Sequence, residues 1–258
     1  MKPCIYSRNK IDCANRVIKV LIMNKGAMFL YMLICLSSSI NAQDDMPTAL
    51  VEPISNIGLN NVQELIYSNF HEVFVIKKNN YGLLIDSKGH SLYKGVIDIK
   101  TYKSLHLPYI VQNTLYRLNK QEITLSNKFV ERASYDYLTG NDSLLYCIVM
   151  DSIYKETTPN GHIATILEDG DVGLFAFTCG ETRGLCCSRA KLWYLYKSQN
   201  TNDSGGFIRE YNLESRNRVK TFKINVADPV GLVFANNALY TYSNNDNTLY
   251  KVNLLQND

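Results

Sequence analysis

Apolar residues recur along this chain in short alternating runs, broken at close intervals by Asn, Gly, Asp or Ser. Alternation of this kind is the period of a strand with one buried face, and the polar breaks mark hairpin turns. Near the end of the chain, 230–235, 239–243 and 248–254 read as three strands, with a tight Asn-rich turn over 244–247. The stretch before it repeats the plan through 172–178, 192–197 and 207–213, then adds an outer strand over 218–225. Upstream, 72–77, 81–87 and 91–99 predict a meander, and 105–111 with 114–119 the next hairpin. Helix-favouring runs are few, and no helical period marks a second domain. Eighteen Tyr against fourteen Gly and six Pro agree with sheet.

The strands repeat at a fixed interval. Leu145-Tyr146, Leu192-Trp193 and Leu239-Tyr240 are spaced by 47 and 47 residues. An aromatic recurring at one position of a repeat predicts core between neighbouring units. A second motif, Asn113-Thr-Leu-Tyr-Arg-Leu-Asn119, returns as Asn247-Thr-Leu-Tyr-Lys-Val-Asn253, with looser relatives at 206–212 and 152–155. A third, Asp171-Val-Gly-Leu174 and Asp228-Pro-Val-Gly-Leu232, opens the units. On that alignment residues 179–189 are an insertion, since Gly173 and Gly231 stand 58 apart. A unit of strand, hairpin and hairpin at this length predicts an all-β chain, a β-propeller of antiparallel four-stranded blades. The 216 residues after position 42 hold between four and five units, which predicts about five blades. An early strand over 49–54 is expected to pair beside 248–254 and close the ring, removing an exposed edge.

These residues resemble known propellers. Asp228-Pro-Val-Gly-Leu, then Leu239-Tyr240, then Asn247-Thr-Leu-Tyr-Lys-Val-Asn is similar to a blade of the NHL, YVTN or streptogramin-lyase-like group. Leu192-Trp193 with Gly206-Phe-Ile-Arg-Glu-Tyr-Asn-Leu resembles the same plan. The resemblance covers about 140–258 well and implies a fold; its motifs are packing and turn residues, so it implies no reaction.

The beginning of the chain changes the charge. Lys25, the apolar run 27–36 and the small-residue ending at Ala42 follow the order of a secretory signal over 23–42. That run is about half the roughly 20 residues a spanning helix needs, so no membrane span is expected after its removal. Residues 1–22 fit nothing in this signal and read as an upstream extension before the true start at Met23, leaving 43–258 as a single propeller domain. The expected destination is secretion, or the periplasm in a Gram-negative source. The whole chain has a net charge of +3. Without residues 1–42 it keeps 21 basic and 23 acidic residues, a net of −2, and no excess of cations for nucleic acid. Cys147, Cys179, Cys186 and Cys187 remain, an even set that an oxidising compartment allows to form disulfides.

Candidate chemistry is sparse. The sequence has no G-x-S-x-G elbow, no phosphate-binding G-x-x-x-x-G-K-[ST] loop and no H-E-x-x-H pair. Its four His (71, 90, 106 and 162) are scattered; His106 reads as a strand residue and His90 as an exposed turn. Asp169, Asp171 and Asp228 are expected where one unit passes to the next, at a channel mouth, to meet a polar ligand or a cation such as Ca²⁺. Bonding of their own backbone is the competing role. Arg183 and Arg189, in the expected insertion, are candidates for an anionic partner. The reading that follows is an exported, non-catalytic binding module for a protein, peptide or glycan. The alternatives are a lyase or lactonase-like hydrolase with an acidic or divalent-metal site, and an incomplete copy of a longer propeller.

Overall fold

In the computed structural model the described residues are 46–111, 114–116, 122–125, 133–140, 144–151, 161–167, 169–178, 180–198 and 204–254. Contacts divide the chain into Met1–Met46 and Pro47–Asp258; the expected leader and upstream extension lie outside the described residues. No helix among those residues is long and apolar enough to cross a membrane.

Within the second unit the described residues are all-β apart from one short helix. Strands β1 (Leu50–Asn56), β2 (Glu64–Ser68), β3 (Val73–Lys78), β4 (Tyr81–Ile85) and β5 (Ser91–Val96) precede helix α1 (Ile99–Ser104). Strands β6 (Tyr109–Val111), β7 (Thr114–Tyr116) and β8 (Glu122–Thr124) follow, then β9 (Ala133–Gly140), β10 (Leu145–Asp151), β11 (His162–Ile166) and β12 (Val172–Phe177). The last seven are β13 (Glu181–Cys187), β14 (Lys191–Lys197), β15 (Gly206–Asn212), β16 (Arg218–Ile224), β17 (Pro229–Ala235), β18 (Ala238–Ser243) and β19 (Thr248–Asn253). They form four four-stranded antiparallel sheets, β2-β3-β4-β5, β9-β10-β11-β12, β13-β14-β15-β16 and β17-β18-β19-β1, and one of three strands, β6-β7-β8. The first strands face one another, β9 against β13, β13 against β17 and β17 against β2, which is the inner wall of a β-propeller.

The repeats act as expected in the core. Tyr240 packs on Phe74 of the next sheet, with ring centroids 4.9 Å apart, and Trp193 stacks on Phe234 of the next sheet at 5.0 Å. Phe175 links Tyr146 at 5.6 Å to Tyr211 of the following sheet at 5.7 Å. The second-strand aromatics are therefore the seams between blades. The turns are Asn-driven: Asn236 and Asn237 both take positive φ (48° and 60°), the backbone of a two-residue hairpin loop. The N-terminal strand completes the last sheet. β1 runs antiparallel to β19 from Leu50 opposite Asn253 to Asn56 opposite Thr248. Its outer-edge position also accommodates Pro53, which has no N–H to give.

Three expectations need correction. Residues 172–178 are the outer strand of their own sheet, β12, and not the first strand of the next. The supposed insertion over 179–189 contains the true first strand, β13, and the Gly-Leu pair equivalent to Gly231-Leu232 is Gly184-Leu185, 47 residues earlier. Asp171-Val-Gly-Leu follows a turn as Asp228-Pro-Val-Gly-Leu does, but it opens an outer strand. His106 is not in a strand: residues 99–104 are helical and His106 follows at φ 53°. Strand β2, ahead of the expected meander, escapes the pattern because its apolar run is only Leu65-Ile66-Tyr67.

Candidate functional site

Strand direction separates the expected site residues. Lys197, at the end of β14, reaches Asp228, at the start of β17, while Thr139 near the end of β9 meets Cys187 at the end of β13. The first strands therefore run the same way. The starts of the described first strands thus lie on one face and their ends on the other.

On the first face the crossing residue Asp228 takes φ 44°. Its N–H donates to the Ser204 carbonyl at 2.9 Å, and its own carbonyl accepts from Asn244 at 3.1 Å. Its Oδ1 lies 3.3 Å from Arg183 Nη2 and 3.7 Å from Lys197 Nζ, and Arg183 Nη2 lies 3.0 Å from Glu181 Oε1. Arg183 is the extra residue where the β13–β14 register slips, and a bulge of this kind re-aims a side chain. Two cations and two carboxylates balance here, so the cluster staples sheet β13–β16 to β17 and carries no net charge.

Asp169 and Asp171 are elsewhere. They form the β11–β12 turn, where Asp171 N–H donates to Asp169 Oδ1 at 3.0 Å and Leu167 N–H to the Asp171 carbonyl at 2.9 Å. This turn ends a third strand and faces away from Asp228. Arg189 sits exposed in the β13–β14 turn, also on the far face. The structure thus joins Arg183 with Asp228 and sets Asp169, Asp171 and Arg189 apart from them. Among the described residues no three His, Cys, Asp or Glu side chains are grouped as a metal-ligand set.

Cys186 and Cys187 are thiols, Cys147 is buried, and Cys179 lies outside the described residues. Burial pushes the Cys187 thiol up to about 11 and the Cys186 thiol well above its ordinary 9.0. Both are therefore protonated, weak nucleophiles at neutral pH.

Among the described residues a cavity of about 580 Å³, walled by the first strands, could take a ligand. Its walls are residues 64–67 of β2, 137–140 of β9, 185–187 of β13 and 232–234 of β17, with 106–108 on the remaining side. Backbone contact pinches the strands together beside it. A Cβ on Gly184 would lie 2.5 Å from Leu232 N, and one on Gly231 2.3 Å from Leu65 Cβ. Gly231 also needs its positive φ of 68°, where two residues of β17 bulge opposite Thr241. Among the described residues no strand lines the cavity between β2 and β9; residues 106–108, which follow α1, line it there. Tyr102 O–H donates to Glu64 Oε2 at 2.8 Å, and Ser68 O–H donates to the Leu105 carbonyl at 2.7 Å. This helix-turn segment is thereby tied to β2, and its residues 106–108 border the cavity. Phe70 and His106 are at the rim, stacked at 4.3 Å. Phe70 was not among the expected site residues, and His106 was expected in a strand. The available signal was Phe70 itself, a large apolar side chain in the polar turn Asn69-Phe-His-Glu72.

No protein-family model matches the chain, and no curated protein matches it. Solved structures do. A gluconolactonase from Xanthomonas campestris is 10% identical, with a TM-score of 0.43 over 80% of this chain and 90% of that one. A luciferin-regenerating enzyme is also 10% identical, with a TM-score of 0.39 over 79% and 80%. BamB from Moraxella catarrhalis is 10% identical, with a TM-score of 0.36 over 77% and 59%. The propeller class of this chain is read from its own sheet order and facing first strands.

Proposed function

We propose that this protein is an exported five-bladed propeller that works as a binding module, holding a small ligand in its central cavity. The carrying observation is the cavity itself, walled by four first strands and residues 106–108 and of a size typical for small-molecule sites. The blade count is supported by the repeat. Thr114–Tyr116 carries the motif that makes β19 a third strand, and β7 is likewise flanked on both sides in its sheet. On that register β6, β7 and β8 are the second, third and fourth strands of a fifth blade whose first strand is replaced by residues 98–108. The pairing of β1 with β19 supports a whole ring over an incomplete copy.

Hydrolysis of the lactonase kind has less support. It would draw on Asp171 and Asp228 together, and these occupy opposite faces, with Asp228 already bound by Arg183 and Lys197. Export rests on the 23–42 pattern, and Edman sequencing of the secreted form is expected to begin at Gln43.

The cavity is tested with Nile red, a neutral dye whose emission rises in apolar surroundings. Emission on mixing with the protein is expected to rise, to fall by about tenfold in Leu185→Phe, which fills the cavity, and to persist in Asp228→Asn on the opposite face. Equal emission from Leu185→Phe and the unaltered protein would place the dye elsewhere and overturn the reading.

A further inference from the structure

We propose that the cavity selects a flat, uncharged ring compound, held at its mouth by Phe70; this rests on the cavity reading above. Charge is the first argument. Among the described residues Glu64 is the only Asp, Glu, Lys or Arg side chain on the wall, and it is already engaged, 3.3 Å from Lys77 Nζ and 2.8 Å from Tyr102 O–H. An ionic ligand would lose its water with no free counter-charge to replace it, which is strongly unfavourable. The remaining polar wall groups, among them Asn69, Thr139 and Cys187, offer hydrogen bonds at a few points only, which suits one or two polar substituents and not the many hydroxyls of a sugar.

The mouth supplies the second argument. Phe70 is 69% exposed, yet its ring is held in place. His106 stacks on it at 4.3 Å with 22° between the planes, and His71 meets it edge-on at 4.9 Å and 73°. The His71 ring is itself fixed, with Nε2 2.9 Å from the Ser104 carbonyl, and His106 is set by the turn at φ 53°. An exposed phenyl held rigid loses little freedom when a second ring covers it, and flat aromatic contact adds to area burial. Deeper in, Phe234 lines the wall and stacks on Trp193 at 5.0 Å. Phe70 and Phe234 thus both line this cavity, and aromatic faces there favour planar rings over branched or flexible chains.

The chain's single Trp, Trp193, is one ring away from the cavity and reports its filling. We would titrate the protein with 2-naphthol, 2-naphthalenesulfonate, 1-decanol and cellotriose, following Trp193 fluorescence and calorimetric heat. 2-Naphthol is expected to bind at least about tenfold more tightly than the other three, and Phe70→Ala to remove about tenfold of that affinity while leaving decanol within about threefold. Phe70 is exposed, so its loss spares the core. Thr139→Phe, a half-buried wall position, and Leu185→Phe are each expected to abolish binding of whichever probe occupies the cavity. Preference for decanol, the sulfonate or the sugar, still abolished by those fillings, would overturn the ligand class and leave the cavity reading standing. Binding that neither filling disturbs, or no binding of any probe, would overturn both.

Discussion

Single residues show how polar chemistry is kept within a sheet protein. Glu210 is buried, yet both oxygens are used: Trp193 Nε1 donates to Oε2 at 2.9 Å, and Lys191 Nζ lies 2.9 Å from Oε1. Glu210→Ala strands a buried indole N–H and is expected to cost about 3 kcal/mol in urea-induced unfolding. Asp228→Asn keeps the crossing backbone and removes only charge from a partly exposed cluster, so its cost is expected to stay within about 1 kcal/mol. Cys187 gives a pH test. Its raised value means that alkylation by iodoacetamide, followed by peptide mass mapping, should be slow at pH 7 and keep accelerating toward about pH 11. A rate that levels off near the free-thiol value of about 8.5 would contradict the buried setting.

At the scale of elements, what was legible in the sequence divides along burial. Strands β14, β15, β17, β18 and β19 were readable because one face is continuously apolar and Asn turns punctuate them. Strand β13 was hidden because its first half, Glu181-Thr-Arg, serves the charged cluster, so only Leu185-Cys-Cys looks like core. Helix α1 has no buried residue and hence no apolar stripe to detect. It is held by its ends, through the Asp98–Thr101 capping box and the Tyr102–Glu64 bond. The Thr101 N–H donating to Asp98 holds that carboxyl below its ordinary 3.8. A lowered folded value means that the cap's contribution is complete above 3.8 and is lost as pH falls through the folded value. Amide exchange over Ile99–Ser104 is therefore expected to accelerate selectively in strong acid; uniform acceleration across α1 and β3 would contradict this. Strand β1 makes a larger prediction. Removing residues 1–56 exposes the β19 edge and should yield aggregation or loss of the single cooperative melt in calorimetry.

For the whole molecule, the repeat predicted the architecture and the departures from the repeat hold the candidate site. The 47-residue spacing carries Gly184 and Gly231 to places where first strands touch backbone to backbone, and such packing is expressed in sequence as a period. The cavity borders residues 106–108, which follow the helix and lie outside the 47-residue repeat, and nothing periodic could announce it. Charged residues drew attention toward Asp228 and Arg183, which the fold uses as a staple on the opposite face from Phe70. Diffraction from crystals under xenon pressure tests the central cavity most directly, since xenon marks apolar voids without needing a chosen ligand. The account predicts xenon between Leu107, Thr139, Leu185 and Val233. A centre filled by repacked side chains, with xenon only at the outer strands, would contradict it.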